Sequence, residues 1–273
     1  MTLTRAAGLA PRRGRVRRGP KRRSRWQKRG RTAWRWFNKL PRWLRIGIVT
    51  ASVLVFLASG NFVYQVARKP TEMFFPVAGV LHKMPAETWA AYAPLFREHS
   101  TAAVSPELLA ALAQVEAAGN PLARTYWRWN LTWNPLSIYK PASSAVGMYQ
   151  MTDAAFADAR SACVHDHVVV EDCWFTGLYT RVFPSHAIEL AAVSLDRQGA
   201  AVLRKHPNAK VNARQLQDLA ALIHLCGGRV ARAFARNGFQ LPEGQRCGDH
   251  SAAQYVASVN AMMRQFRRLA ASE

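Results

Sequence analysis

From Ile46 to Ala67 no side chain carries a charge. At about 1.5 Å rise per residue, a helix of roughly 22 such positions spans a hydrocarbon core of about 30 Å. Trp34, Trp36, Phe37 and Trp43 flank one end of the stretch, and Phe62 and Tyr64 lie near the other. Amphipathic aromatics collect in this way at membrane interfaces. Two other readings compete. A buried core helix rarely goes so long without a charge. A cleaved signal peptide has a shorter apolar core and a much shorter basic region, although Ala58-Ser-Gly60 resembles a small-residue cleavage site. The sequence favours an uncleaved, single transmembrane helix.

The net charge of +22 would suit a nucleic-acid binder, but its distribution does not. Of the 38 basic residues, 17 precede Ile46, together with none of the 16 acids, which leaves only +5 for the rest. Residues 1–45 are expected to be a disordered tail, since Gly, Pro and like charges leave too little apolar surface to offset chain entropy. Under the positive-inside rule the tail is cytoplasmic and everything after Arg68 is outside. Such a tail is expected to lie on anionic membrane lipids, with no specific nucleic acid implied. All four cysteines, Cys163, Cys173, Cys226 and Cys247, follow the apolar stretch. An even set in an oxidising compartment suggests two disulfides, and Cys163–Cys173 with Cys226–Cys247 is the simplest of three connectivities. Four buried free thiols are the alternative. No Cys-x-x-Cys pair appears, so no metal site is expected.

Residues 68–85 read as a linker and 86–273 as a mainly α domain. Helices are expected over Pro85–Glu98, from the Ser105-Pro106-Glu107 start to the Gly119-Asn120-Pro121 stop, and over Ser185–Leu203, Gln215–His224, Arg229–Arg236 and Ser251–Leu269. Val168–Val170 is the one β-like run. Glu116 falls in the last turn of an Ala- and Leu-rich helix. Burial and the negative end of the helix dipole both disfavour a carboxylate there. Glu116 is therefore expected to stay protonated near neutral pH, as a general acid must.

Four segments, in order, resemble the lytic transglycosylases with a soluble-transglycosylase-type, lysozyme-like fold. They are Glu116-Ala-Ala-Gly-Asn-Pro, Ser144-Ala-Val-Gly-Met-Tyr-Gln-Met151, Leu222-Ile-His-Leu-Cys-Gly-Gly-Arg-Val230 and Tyr255-Val-Ala-Ser-Val259. The third departs most: His224 stands where the family has Asn, and Cys226 where it has Gly. The resemblance implies a lysozyme-like domain that acts on peptidoglycan glycan strands in the periplasm of a bacterial inner-membrane protein, with cell-envelope machinery as a further partner. It implies Glu116 as the catalytic residue, hydrogen-bonded by Tyr255, and Gly147, Met148, Tyr149, Gln150 and His224 as substrate contacts. It also implies cleavage of the MurNAc–GlcNAc bond to a 1,6-anhydro sugar without metal or organic cofactor. Gly permits close backbone approach to a sugar, and a Gln amide both donates and accepts.

An insertion at 126–140 carries Trp127, Trp129 and Trp133. Stacking on sugars and an extra packing unit fit it equally well. Three other functions compete with the transglycosylase: a hydrolase resembling goose-type lysozyme, a non-catalytic wall-binding module, and nucleic-acid binding through the tail.

Overall fold

The uncharged stretch forms most of one long helix, α1 (Arg42–Arg68), in a computed structural model that describes residues 34–171 and 173–273. The most apolar window of α1 has a mean hydropathy of 2.0 and is only 6% buried. That exposure excludes the core-helix reading, and α1 is long and apolar enough to cross a membrane. The tail expected to be disordered lies outside the described residues up to position 33. Its end is helical instead: residues 34–38 form a helical turn, and Arg42 to Arg45 begin α1. Gly is absent from residues 34–45, and the Trp34 and Phe37 rings stack one turn apart with centroids 6.1 Å from each other.

By internal contacts the chain divides into two units, Met1–Ala58 and Ser59–Glu273. The second unit begins inside α1, so it takes in the segment expected to be a linker. Residues 70–81 of that segment are short helical turns, Pro70–Phe74, Phe75–Ala78 and Gly79–Leu81. They are held by partners far away in sequence. The Glu72 side chain is fully buried against Lys69 Nζ (3.0 Å), Arg124 Nη1 (3.0 Å) and Trp127 Nε1 (2.6 Å). Asn120 Nδ2 donates to the Ala78 carbonyl. A buried carboxylate left unpaired would be costly, and here two cations and an indole donor offset its burial.

Beyond these turns the second unit is mainly helical: α2 (Pro85–Glu98), α3 (Pro106–Ala117), α4 (Asp153–Ala159), α5 (Pro184–Leu203), α6 (Ala213–Arg236) and α7 (Ala252–Ala270). The innermost is α3. Ser105 caps it by accepting from the Leu108 N–H at 3.2 Å, and Pro106 supplies the preset φ of the first turn. Every residue from Leu108 to Ala113 is buried, so the helix is covered on all sides, by α2, α5 and α7. Its four alanines allow those neighbours close. The helix ends as expected, with Ala118 left-handed at φ 49° and the Gly119 N–H returning to the Ala113 carbonyl. In the same unit α5 packs on α6, and α6 on α7.

Two helices were expected where α6 lies. They run on as one element broken at Gly227, whose φ of 72° and ψ of 176° is a conformation essentially confined to glycine. The β structure is three short antiparallel ribbons: β1 (Trp127–Trp129) with β2 (Tyr139–Pro141), β3 (Ala162–His165) with β4 (Val168–Glu171), and β5 (Arg246–Cys247) with β6 (His250–Ser251). Only β4 was legible as a strand.

Both expected disulfides are present, Cys163–Cys173 and Cys226–Cys247. The first ties β3 to the chain just after β4. The second ties α6, one residue before its break at Gly227, to β5. The closed loops are short, with sequence separations of 10 and 21. Loops of this length give about 3 kcal/mol each in the chain-entropy account of disulfides. Replacing Cys226 and Cys247 together by Ser should therefore lower the melting temperature by several degrees. Under the transglycosylase expectation it should also lower anhydro-muropeptide release measured well below the new midpoint, because the bond steadies the turn of α6 that carries His224. Calorimetry with a parallel activity assay reads both effects.

Candidate active site

Glu116 sits at the end of α3, with 17% of its side chain exposed. Two side chains from other helices meet one of its carboxylate oxygens. Tyr255, in the first turns of α7, donates its hydroxyl to Glu116 Oε1 at 2.5 Å, and His224 Nε2, on α6, lies 3.4 Å from the same atom. Tyr255 is largely buried. Burial, then the Glu116 charge and the hydrogen bond to it, hold its phenol well above the ordinary range, so it stays a donor.

The expected protonation of Glu116 is not what this environment produces. Burial does push its pKa up, and is the largest single influence. The hydrogen bond and charge of His224, the Tyr255 hydroxyl and the charge of His250 together outweigh it, and the carboxyl lies below its ordinary value. The unliganded protein therefore holds Glu116 ionised at neutral pH. Nothing in the sequence around His250 singles it out. It lies on β6 opposite Cys247, so the second disulfide brings its ribbon toward the carboxylate.

His224 is shared between Glu116 and a cavity of about 290 Å³. Gln150, Thr152, Ser194, Gln198 and Gly227 line the same cavity, among Met151, Ala155, Ala191, Leu195 and Ile223. Gln198 Nε2 donates to Ser194 Oγ at 3.0 Å. Ser194 and Gln198 were missed in the sequence. A signal was there: Ser194 interrupts the otherwise apolar run Leu190–Leu195 of α5, and Gln198 follows one turn later.

Of Gly147, Met148, Tyr149 and Gln150, the residues of Ser144–Met151 expected to touch substrate, only Gln150 reaches this cavity. Its φ of 45° is left-handed, a strained conformation for a side chain of this kind, and its amide donates back to the Gly147 carbonyl at 2.9 Å. Met148 and Tyr149 are wholly buried and are core residues, not substrate contacts. The Tyr149 hydroxyl donates to the Leu109 carbonyl at 3.0 Å, and its ring meets the His224 ring edge-on at 6.4 Å. Tyr149 thus joins α3 to the histidine beside Glu116. Gly147 is buried too. Its φ is 80°, and a Cβ there would stand 2.1 Å from the Arg181 carbonyl, so the close approach that demands glycine is to protein.

The aromatic insertion belongs to a different surface. Trp127 packs between Phe62 and Tyr139, at centroid distances of 5.9 and 5.2 Å, and lines a separate cavity with Glu72 and Arg124. Trp129 and Trp133 are exposed.

A carboxylate with a phenol donor and an imidazole on one oxygen, beside a cavity lined by hydroxyls and amides, is equipped for proton transfer to and from a polyhydroxylated ligand. The other two described buried glutamates are engaged elsewhere: Glu72 as above, and Glu189 with the Val164 N–H (2.8 Å) and the Tyr179 hydroxyl (2.6 Å). No protein-family model and no curated protein matches this chain.

Proposed function

We propose that the chain is a membrane-anchored peptidoglycan lytic transglycosylase with a lysozyme-like catalytic domain. In this reading α1 crosses a bacterial inner membrane once. The basic tail is cytoplasmic and the second unit periplasmic, consistent with the basic flank on one side of α1 and two disulfides on the other. The observation that carries the activity is the convergence of Tyr255 and His224 on one oxygen of Glu116.

Glu116 works first as acid and then as base. A bound glycan strand excludes water from a carboxylate already mostly buried, which favours uptake of a proton. That proton passes to the glycosidic oxygen between MurNAc C1 and GlcNAc C4 as its bond to C1 breaks, and positive charge develops at C1. The carboxylate so formed, held by the Tyr255 hydroxyl, takes the proton of the MurNAc C6 hydroxyl. O6 then bonds to C1, giving a 1,6-anhydro ring. One proton leaves Glu116 and one returns, and no water is consumed. A single carboxylate suffices, where a two-carboxylate glycosidase needs a second to activate water or to attack.

Mass spectrometry of fragments released from peptidoglycan by the full-length protein in detergent tests the reading. 1,6-Anhydro-muramic ends are expected. Reducing muramic ends would reassign the site to a muramidase hydrolase, and release of no fragments would remove the enzymatic reading.

A further inference from the structure

We propose that residues 126–141 form a second membrane contact, which enters the interface of the leaflet where α1 emerges and grips lipid phosphates at its base. The proposal rests on α1 being a membrane span and is independent of the chemistry at Glu116.

The uncharged stretch of α1 contains two amide side chains, Asn61 and Gln65, and both are buried although their neighbours on the helix are exposed. Each donates to the ribbon's backbone: Asn61 Nδ2 to the Tyr139 carbonyl and Gln65 Nε2 to the Leu136 carbonyl, both at 2.6 Å. Phe62 stacks on Trp127 between them. Asn61 precedes Arg68 by seven residues, or about 10 Å of helix at 1.5 Å per residue. The ribbon is therefore fastened alongside the last turns of the span. Amide-to-carbonyl bonds of this kind satisfy polar groups where water is scarce.

What the ribbon presents outward is apolar. No charged residue occurs between Arg128 and Lys140. Leu131 and Trp133 are fully exposed, and Trp129 nearly so, with Leu136 and Ile138 beside them. Exposed apolar side chains beside the end of a membrane helix have the bilayer as their natural cover, and Trp is the residue that favours the headgroup level.

The charges stand where that tip ends. Arg128 and Lys140 are direct partners in the antiparallel register, on the face opposite Trp127, Trp129 and Tyr139. Like charges so placed repel. With Arg68 they line a cavity of about 330 Å³, where Lys69 and Arg181 are already paired with Glu72 and Asp153. A phosphate shared by Arg68, Arg128 and Lys140 would relieve the repulsion. Arg128 and Lys140 share that cavity with Gln65 and Arg68, in the last turn of the span, which is the level of the phosphate layer.

The described residues hold no free cysteine, so single cysteines introduced into the full-length protein can be labelled. Leu131→Cys, Val55→Cys in α1 and Val168→Cys on the β3–β4 hairpin would carry a fluorophore in vesicles of phosphatidylglycerol and phosphatidylethanolamine. Lipids brominated along their chains would serve as quencher. Quenching at 131 and 55 but not at 168 is expected, with loss of the signal at 131 in the Arg128→Glu, Lys140→Glu double variant. Quenching at 55 alone would overturn the proposal and leave the span intact. Quenching at neither would overturn both. Protection of the 131 label by soluble glycan fragments, without quenching by lipid, would assign the insertion to sugar.

Discussion

Glu116→Gln should lower release of anhydro-muropeptides by about 10²–10⁴-fold, the range that a positioned general acid–base supplies, and lower the melting temperature at neutral pH only slightly, by the contribution of the carboxylate's lowered pKa. Gln keeps the size and shape of the side chain. Its carbonyl oxygen accepts from the Tyr255 hydroxyl as Oε1 does now, so the junction of α3 and α7 loses no buried hydrogen bond. What it loses is the carboxyl group that gives and retakes the proton in this reading. Tyr255→Phe removes only the donor to the carboxylate and should cost activity less, since one hydrogen bond to a charged group contributes about 1.5–3 kcal/mol. Full activity in Glu116→Gln would end the assignment of Glu116, and with it the transglycosylase reading.

The site was legible in the sequence as far as local chemistry reaches. Ser105, Pro106 and the Gly119-Asn120-Pro121 stop mark α3 through capping and φ preferences, which act within a few residues, and they put Glu116 in its last turn. The even, one-sided set of cysteines pointed to two disulfides, and the simplest of the three connectivities, near neighbour with near neighbour, is the one present. Interactions across the fold decided the rest. Glu72 looks like a linker residue until Arg124 and Trp127, more than fifty positions on, close over it. Met148 and Tyr149 sit in a segment that reads as substrate-facing, yet only the backbone turn at Gly147 and Gln150 decides which side chains point into the core. Ribbon β1–β2 escaped notice because its stability depends on Phe62, Asn61 and Gln65 of α1. Such support leaves no alternation in the strands themselves.

The protonation of Glu116 failed for the same reason, and it yields the sharpest test. Helix end and burial are local and both raise the pKa; His224 is 108 residues away and lowers it. In the free enzyme the reaction needs the protonated form of a carboxyl that lies below its ordinary range. The value of kcat/KM, which reports free-enzyme ionisation, should therefore be highest in acid and fall about tenfold per pH unit toward neutrality. His224→Asn removes both influences of the imidazole. Burial then faces only Tyr255 and His250, the pKa rises, and the falling limb moves to higher pH, by one unit for each tenfold gain at neutral pH. Stability should change in the matching sense. A depressed carboxyl pKa contributes stability that is fully present above the ordinary carboxylate value and is lost as pH falls through the folded value. The contribution is smaller in His224→Asn, so its melting temperature should fall less steeply below about pH 4.5, near the unfolded carboxyl value. A pH–rate limb that stays in place in His224→Asn would show that the imidazole does not set the charge of Glu116. A changed KM with an unmoved limb would make His224 a substrate contact instead.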